Sequence, residues 1–281
     1  MAEWFSEQAP VRQLPVADRG LQYGDGLFET IAIRNGSPRL WSLHCARLAK
    51  GCKALAIRMP DEAQLSDGIA HALAASAISD AYCTVKVIVT AGPSQRGYGR
   101  SASASPTVLF GVFASLPLPA SYYLEGVTAT ICRTRLATHS PTAGLKTLNR
   151  LEQVLARSEL VEPGVFEGLT LDADDNVICG TMSNVFFIKE QSISTPPIDA
   201  SGVAGVMREH VLNSMAATGR DVLVQNFSQS DLGHVDEVFV CNSQFGIVPV
   251  AACDNLHWGV GEMTRQVMTT MAGAGVAECQ T

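Results

Sequence analysis

Two prolines one residue apart, Pro117 and Pro119 in Ser115-Leu116-Pro117-Leu118-Pro119-Ala120, constrain this chain more than any other local feature. Each fixes φ and lacks a backbone donor, so neither a helix nor an inner strand runs through the segment, and the connection is stiff. Structure signals on either side must therefore find partners separately. At 281 residues the chain also exceeds the usual domain size of about 100–150. A smaller α/β domain is expected over 1–114, a linker over 115–121 and a larger domain over 122–281.

In the first part, Leu27–Arg34 is rich in β-formers and ends at Asn35-Gly36, a hairpin signal that makes Pro38–Trp41 the return strand. Ser42 caps a helix carrying Leu43, Ala46, Leu48, Cys52 and Leu55, and Asp61 caps a second through Ile78. Tyr82–Thr90 and Thr107–Phe113 read as buried strands, joined by a glycine-rich basic loop over 91–100. Past the prolines come a strand (Val127–Arg133), a loop (His139–Gly144) and a helix from near Thr147. Leu148, Leu151, Val154, Leu155 and Leu160 form its apolar stripe. Phe166–Leu171 and Val177–Cys179 flank an aspartate-rich turn, and Asn184–Lys189, Asp221–Gln225, Val235–Cys241 and Gly246–Val250 are further strands. Strands outnumber helices and hairpins are interleaved with them, which predicts a mixed α/β (α+β) fold rather than a doubly wound sheet.

The net charge of −7 argues against non-specific binding of nucleic acid or an anionic membrane. Any anion this chain holds must be held by a few local cations. The N-terminus has neither the basic start nor the apolar core of a secretory signal, and the longest apolar run, Ile69 to Ile78, is too short to span a bilayer. Eight cysteines without a C-x-x-C favour free thiols in a reducing cytoplasm over disulfides or zinc. Nucleotide-loop, nucleophile-elbow and H-E-x-x-H patterns are absent, and no metal site is expected.

Six places carry candidate chemistry. Lys146 stands between Leu145 and Leu148 at an expected loop–helix junction, where partial desolvation lowers an amine's pKa and suits it to Schiff-base chemistry, although most lysines are simply solvated. Gly202 and Gly205 precede a helix starting near Val206, either as a phosphate-binding helix start or as a flexible loop. Arg47, three residues after His44 on one helix face, can reach a phosphate or pair with an acid at the surface. Asn242-Ser243-Gln244 ends an apolar strand and offers a hydroxyl and amides. In the basic loop, Arg96 and Arg100 can each clamp a carboxylate or remain exposed loop chemistry. The stretch Asp18-Arg19-Gly20-Leu21-Gln22-Tyr23-Gly24-Asp25-Gly26 implies a close backbone approach just before a strand.

In this order, the pieces resemble the class IV family of pyridoxal-phosphate enzymes, which includes branched-chain and D-amino-acid aminotransferases and 4-amino-4-deoxychorismate lyases. The resemblance runs from about Asp18 to Pro249. It rests on Asp18-Arg19-Gly20, Tyr23-Gly24-Asp25-Gly26, His44-Cys45-Ala46-Arg47-Leu48, Asn184-Val185-Phe186, Thr195 and the 203–208 segment. Within the family, Lys146-Thr147-Leu148-Asn149-Arg150-Leu151-Glu152-Gln153-Val154 and Arg96-Gly97-Tyr98 are most similar to the lyases. The resemblance implies two domains with pyridoxal 5'-phosphate between them, usually in a homodimer. It implies Lys146 as the Schiff-base lysine. Arg47, Gly205, Val206, Met207, Asn242 and Ser243 would hold the phosphate. Arg96, Tyr98 and Thr30 would meet aminodeoxychorismate, the expected small-molecule substrate.

One position departs from the pattern. The family places a glutamate, the partner of the cofactor's pyridine nitrogen, five residues before the Asn of Asn-Val-Phe. Here that residue is Cys179. A thiol is neutral near its reference pKa of about 8.5 and pairs poorly with a pyridinium. A shifted carboxylate such as Asp175 substitutes, or the nitrogen stays unprotonated, or catalysis is impaired.

Overall fold

The computed structural model describes residues 2–6, 9–101 and 104–280. It divides the chain into two compact units, Met1–Leu116 with Leu145–Asn149 and Pro117–Gly144 with Arg150–Thr281. The first unit contains β1 (Glu3–Phe5), α1 (Arg19–Tyr23), β2 (Gly26–Arg34), β3 (Ser37–Pro38), α2 (Trp41–Ala54), α3 (Glu62–Ala75), β4 (Tyr82–Thr90) and β5 (Thr107–Ala114). Its antiparallel sheet has the order β1-β5-β4-β2-β3. Side chains alternate across a strand. One face therefore carries Leu27, Ile31, Ile33, Val85, Val87, Phe110 and Val112 into a core with Leu48, Cys52, Leu65 and Ile69 of the two longer helices. Burying a side chain such as Phe110 contributes roughly 1.5–3 kcal/mol. The other face presents Phe28, Thr30, Lys86 and Ile88, all half-buried.

Local chemistry sets the ends of these elements. Asn35 and Gly36 have φ of 50° and 74°, the left-handed pair that a tight hairpin needs. The return strand is shorter than expected because α2 begins at Trp41. Its N-cap is Leu40, at φ 54° and without a side-chain cap bond, rather than Ser42. Asp61 does cap α3, in a capping box with Gln64, but the helix stops at Ala75.

The expected helix from Thr147 is corrected. Residues 146–148 run as an added strand beside β2: Phe28 N donates to Lys146 O at 3.0 Å, Leu148 N donates to Gly26 O at 2.9 Å, and Thr147 bridges Leu27. The helix starts only at Leu151.

The second unit holds α4 (Ala120–Leu124), β6 (Val127–Arg135), α5 (Leu151–Ser158), β7 (Val165–Leu171), β8 (Val177–Gly180), β9 (Asn184–Lys189), β10 (Ser192–Thr195), α6 (Val206–Ala217), β11 (Val222–Val224), β12 (Glu237–Asn242), β13 (Gly246–Cys253), β14 (Leu256–His257) and α7 (Glu262–Gly273). Its sheet runs β11-β10-β9-β12-β13-β6-β7-β8, with β14 on β13. Parallel pairs (β6 with β7 and β13) mix with antiparallel hairpins, so the fold is mixed α/β as expected. Stacked Phe186 and Phe239, with centroids 4.7 Å apart, lie in its core. The stripe on α5 does not point into that core: Leu151, Val154 and Leu155 are exposed.

Candidate active site

In the first unit Lys146 is half-buried and held in the added strand through its backbone O, which accepts from Phe28 N, and its amine lies 4.4 Å from the centre of the Phe28 ring. The same ring has a second lysine against it. Lys86, from β4, is 4.6 Å away, and burial pushes its amine below the usual lysine range. Lys86 sits directly opposite Thr30 in the β2–β4 register, so Phe28, Thr30 and Lys86 share one sheet face with two amines at it. Sequence reasoning passed over Lys86. Its signal was there: a lone lysine in the middle of Cys83-Thr84-Val85-Lys86-Val87-Ile88-Val89.

On the core face of β2, Glu29 is 2 % exposed and meets two residues of α2. His44 Nδ1 lies 2.5 Å from Glu29 Oε2, and Arg47 donates from Nε to Oε1 at 2.9 Å and from Nη2 to Oε2. Burial alone raises the Glu29 pKa, but the Arg47 charge and the His44 hydrogen bond overcome it and hold the carboxyl at about 2. Burial pushes His44 down despite Glu29. The consistent arrangement is a neutral imidazole with its proton on Nδ1, donating to the carboxylate. Its Nε2 is buried with no hydrogen-bond partner among the described residues. Arg47 is thus a largely buried cation fixed in place by a buried acid, and not an arginine paired at the surface.

The basic loop separates its arginines. Arg100 is committed to Asp25 through Nε at 2.9 Å and Nη2, and it also donates to Leu55 O and Ala56 O. Arg96 is exposed and makes no hydrogen bond or ion pair among the described residues, and Tyr98 beside it is 87 % exposed.

In the second unit, α6 starts at Val206 with Gly205 as N-cap and no side-chain cap bond. Its first N–H groups are therefore open to an anion, with the helix dipole behind them. A Cβ at 205 would come within 2.0 Å of Asn184 Oδ1, so any larger residue there requires that side chain to move. Asn184 in turn donates to Val203 O at 3.0 Å and fixes the approach to the helix. Asn242 spends its side chain on the β12–β13 turn: Oδ1 accepts from Gln244 N and Phe245 N, and Nδ2 donates to Met182 O. Ser243 is carried on that turn.

Cys179 is buried on β8, with Sγ 3.5 Å from Thr170 Oγ1, and burial pushes its thiol up to about 11. Asp175 does not substitute for it. That aspartate occupies the exposed β7–β8 turn and pairs with Arg135 at 2.6 Å. Glu167 is fully buried and already accepts from Gly168 N, Thr181 N, Thr181 Oγ1, Met182 N and Ser183 Oγ.

The first unit thus carries a lysine over an aromatic ring and an arginine fixed on a buried carboxylate, and the second carries an uncapped, glycine-led helix start. The chain belongs to the class IV amino-transferase family, whose model matches residues 26–253. It is 35 % identical over 265 residues to aminodeoxychorismate lyase of Vibrio harveyi, covering 92 % of this chain and 95 % of that protein. A putative branched-chain-amino-acid aminotransferase of Methanocaldococcus jannaschii is 30 % identical over 260 residues, covering 91 % of this chain and 88 % of the relative. Among solved structures, 4-amino-4-deoxychorismate lyase of Pseudomonas aeruginosa superposes with a TM-score of 0.90 at 42 % identity, covering 97 % of this chain and 99 % of that one.

Proposed function

We propose that this protein is a pyridoxal-phosphate-dependent lyase that converts 4-amino-4-deoxychorismate to 4-aminobenzoate and pyruvate. The observation that carries the reading is the 42 % identity to the Pseudomonas aeruginosa lyase over nearly the whole of both chains.

Pyridoxal phosphate, when bound, supplies an aldehyde for a lysine and an electron sink for the carbon bearing the substrate nitrogen. The residues fit it at two points. Lys146 is the amine for the aldehyde. Each unit carries groups that suit a phosphate: Arg47 in the first, and in the second the N–H groups of Gly205, Val206 and Met207 and the turn that bears Asn242 and Ser243. At Cys179 the fit fails: a thiol pushed up to about 11 gives a pyridinium no counter-charge. This departure supports a reaction that gains its driving force elsewhere. Aromatisation of the substrate ring does so, whereas amino-group transfer leans on the sink throughout.

In this reading Lys146 Nζ removes the proton from ring carbon 4 and delivers a proton to the departing enolpyruvyl group. The ring C–O bond breaks, its electron pair leaves with the pyruvate, and no external oxidant is needed. Arg96 meets a substrate carboxylate, supported by its uncommitted guanidinium. Tyr98, Thr30 and Lys86 line the approach.

We also infer a homodimer, supported by the exposed Leu151, Val154 and Leu155 on α5, and a cytoplasmic setting, supported by eight buried cysteines without disulfides. Among the described residues no helix is long and apolar enough to cross a membrane.

Incubation with aminodeoxychorismate tests the function. Release of 4-aminobenzoate and pyruvate in equal amounts is expected. Amino transfer to 2-oxoglutarate without pyruvate would replace the reading with an aminotransferase, and cofactor binding with neither reaction would leave a non-catalytic relative.

A further inference from the structure

Arg19 is charged yet only 4 % exposed, and no step above uses it. Its guanidinium closes on the crest of the basic loop. Nη1 donates to Gly97 O at 2.9 Å, to Ser94 Oγ at 3.2 Å and to Gly99 O at 3.3 Å, and Nη2 donates to Tyr98 O at 2.9 Å. Nε is held by Asp25 Oδ2 at 2.7 Å, the same carboxylate that takes Arg100. The Tyr23 ring lies under the guanidinium at 4.9 Å, and its hydroxyl accepts from Gly97 N at 3.3 Å. Three consecutive carbonyls, 97 to 99, thus converge on one buried planar cation. A lysine has three donors at a single point and cannot reproduce that fork.

The residues that this grip displays are Arg96, which has no partner among the described residues, and Tyr98, whose ring packs on Tyr23 at 5.6 Å. A glycine-rich loop left to itself samples many conformations, and each lowers the fraction of enzyme ready to bind. We propose that Arg19, with Asp25 and Tyr23, is a positioning residue that pre-sets the 94–99 loop so that Arg96 engages a substrate carboxylate; this rests on the assignment of Arg96 to substrate above.

The test compares Arg19→Lys, Arg96→Met and the double variant in the cofactor-loaded enzyme. Tyr23→Phe serves as a milder variant should Arg19→Lys fail to fold. Arg19→Lys is expected to speed amide exchange at residues 97–99 and to raise KM about tenfold, with kcat within about threefold, below the hundredfold that roughly a 1 Å misplacement can cost. Tyr23→Phe is expected to do the same to a smaller degree, about threefold in KM. In the Arg96→Met background, Arg19→Lys should raise KM no further, because the residue it positions is gone. Unchanged exchange in Arg19→Lys, or in Tyr23→Phe if only that folds, overturns the proposal. So does a full Arg19→Lys effect on KM in the Arg96→Met background. If Arg96→Met itself leaves KM unchanged, the assignment of Arg96 fails, and the positioning role falls with it. If Arg96→Met raises KM while Arg19→Lys does not, the assignment stands and only the positioning role is lost.

Discussion

Replacing Glu29 by Gln should cost the protein stability in a way that depends on pH. The substitution keeps the shape of the side chain and removes its charge. In the unfolded chain the carboxyl titrates near 4.5, and in the folded protein at about 2. With about 1.4 kcal/mol for each tenfold change in proton affinity, ionised Glu29 contributes about 3 kcal/mol at pH 7. The folded pKa is the lower one, so this contribution is complete above about pH 4.5 and is lost as pH falls toward 2. At pH 3 less than half of it remains, about 1 kcal/mol. An independent route gives a similar size: removing one partner of a buried ion pair typically costs about 3–5 kcal/mol, because the other charge, here Arg47, stays buried without compensation.

Urea unfolding of wild type and Glu29→Gln, followed by tryptophan fluorescence at pH 7, 5, 4 and 3, measures this. Trp4 and Trp41 report on the first unit and Trp258 on the second. The gap between the proteins should be about 3 kcal/mol at pH 7 and shrink by half or more at pH 3. A gap that stays constant from pH 7 to 3, or one below about 1 kcal/mol at pH 7, would refute the idea that an ionised Glu29 anchors Arg47 and His44.

Three further outcomes follow from the same geometry. Lys146→Ala should lose the visible absorbance of lysine-linked cofactor and at least about a thousandfold in turnover, as expected when a covalent nucleophile is removed; a retained band would displace Lys146 from its role. Cys179→Glu should shift that band and raise amino-transfer side activity about tenfold if the pyridine nitrogen lies there, since a carboxylate can hold a proton on it; no change in either would place the nitrogen elsewhere. Glu167→Gln should destabilise the second unit by about 3 kcal/mol or more, because five donors lose a charged acceptor. A melt within 0.5 kcal/mol of wild type, the usual effect of a surface change, would contradict that.

What could be read from the sequence was local. Strand alternation in β2, β4 and β5, the Asn35-Gly36 turn, the Asp61 cap and the helix start at Val206 each depend on neighbours within a few residues, and each appears in the fold. Lys146 stood out for the same reason. Its setting did not, because the bridge between Thr147 and Leu27 joins segments far apart in the chain. Spacing alone extended the α5 stripe backward to Leu148 and turned a strand into helix. That stripe also misled on burial, since an amphipathic pattern shows which residues share a face and not what covers it. Arg19 was visible only as part of a motif; its carbonyl partners lie beyond the reach of any local pattern.

The buried acids bear on the proposal that an amine carries the proton transfer. Among the described residues four carboxylates are buried: Asp18, Glu29, Glu167 and Asp172. Asp18 accepts from Gly20 N, Thr90 Oγ1 and Thr107 Oγ1, and Asp172 accepts from Asp174 N, Asn176 N and Asn176 Nδ2. Glu29 is occupied by His44 and Arg47, and Glu167 by its five donors. Each donor fills a lone pair, so all four carboxylates are engaged in holding the structure around them. The amines at Phe28 differ. Lys86 lies in surroundings that lower its proton affinity, and Lys146 is fixed through its backbone O by Phe28 N. The acids hold the scaffold, and this supports the proposed assignment of ring-proton removal and its return to a leaving group to a lysine.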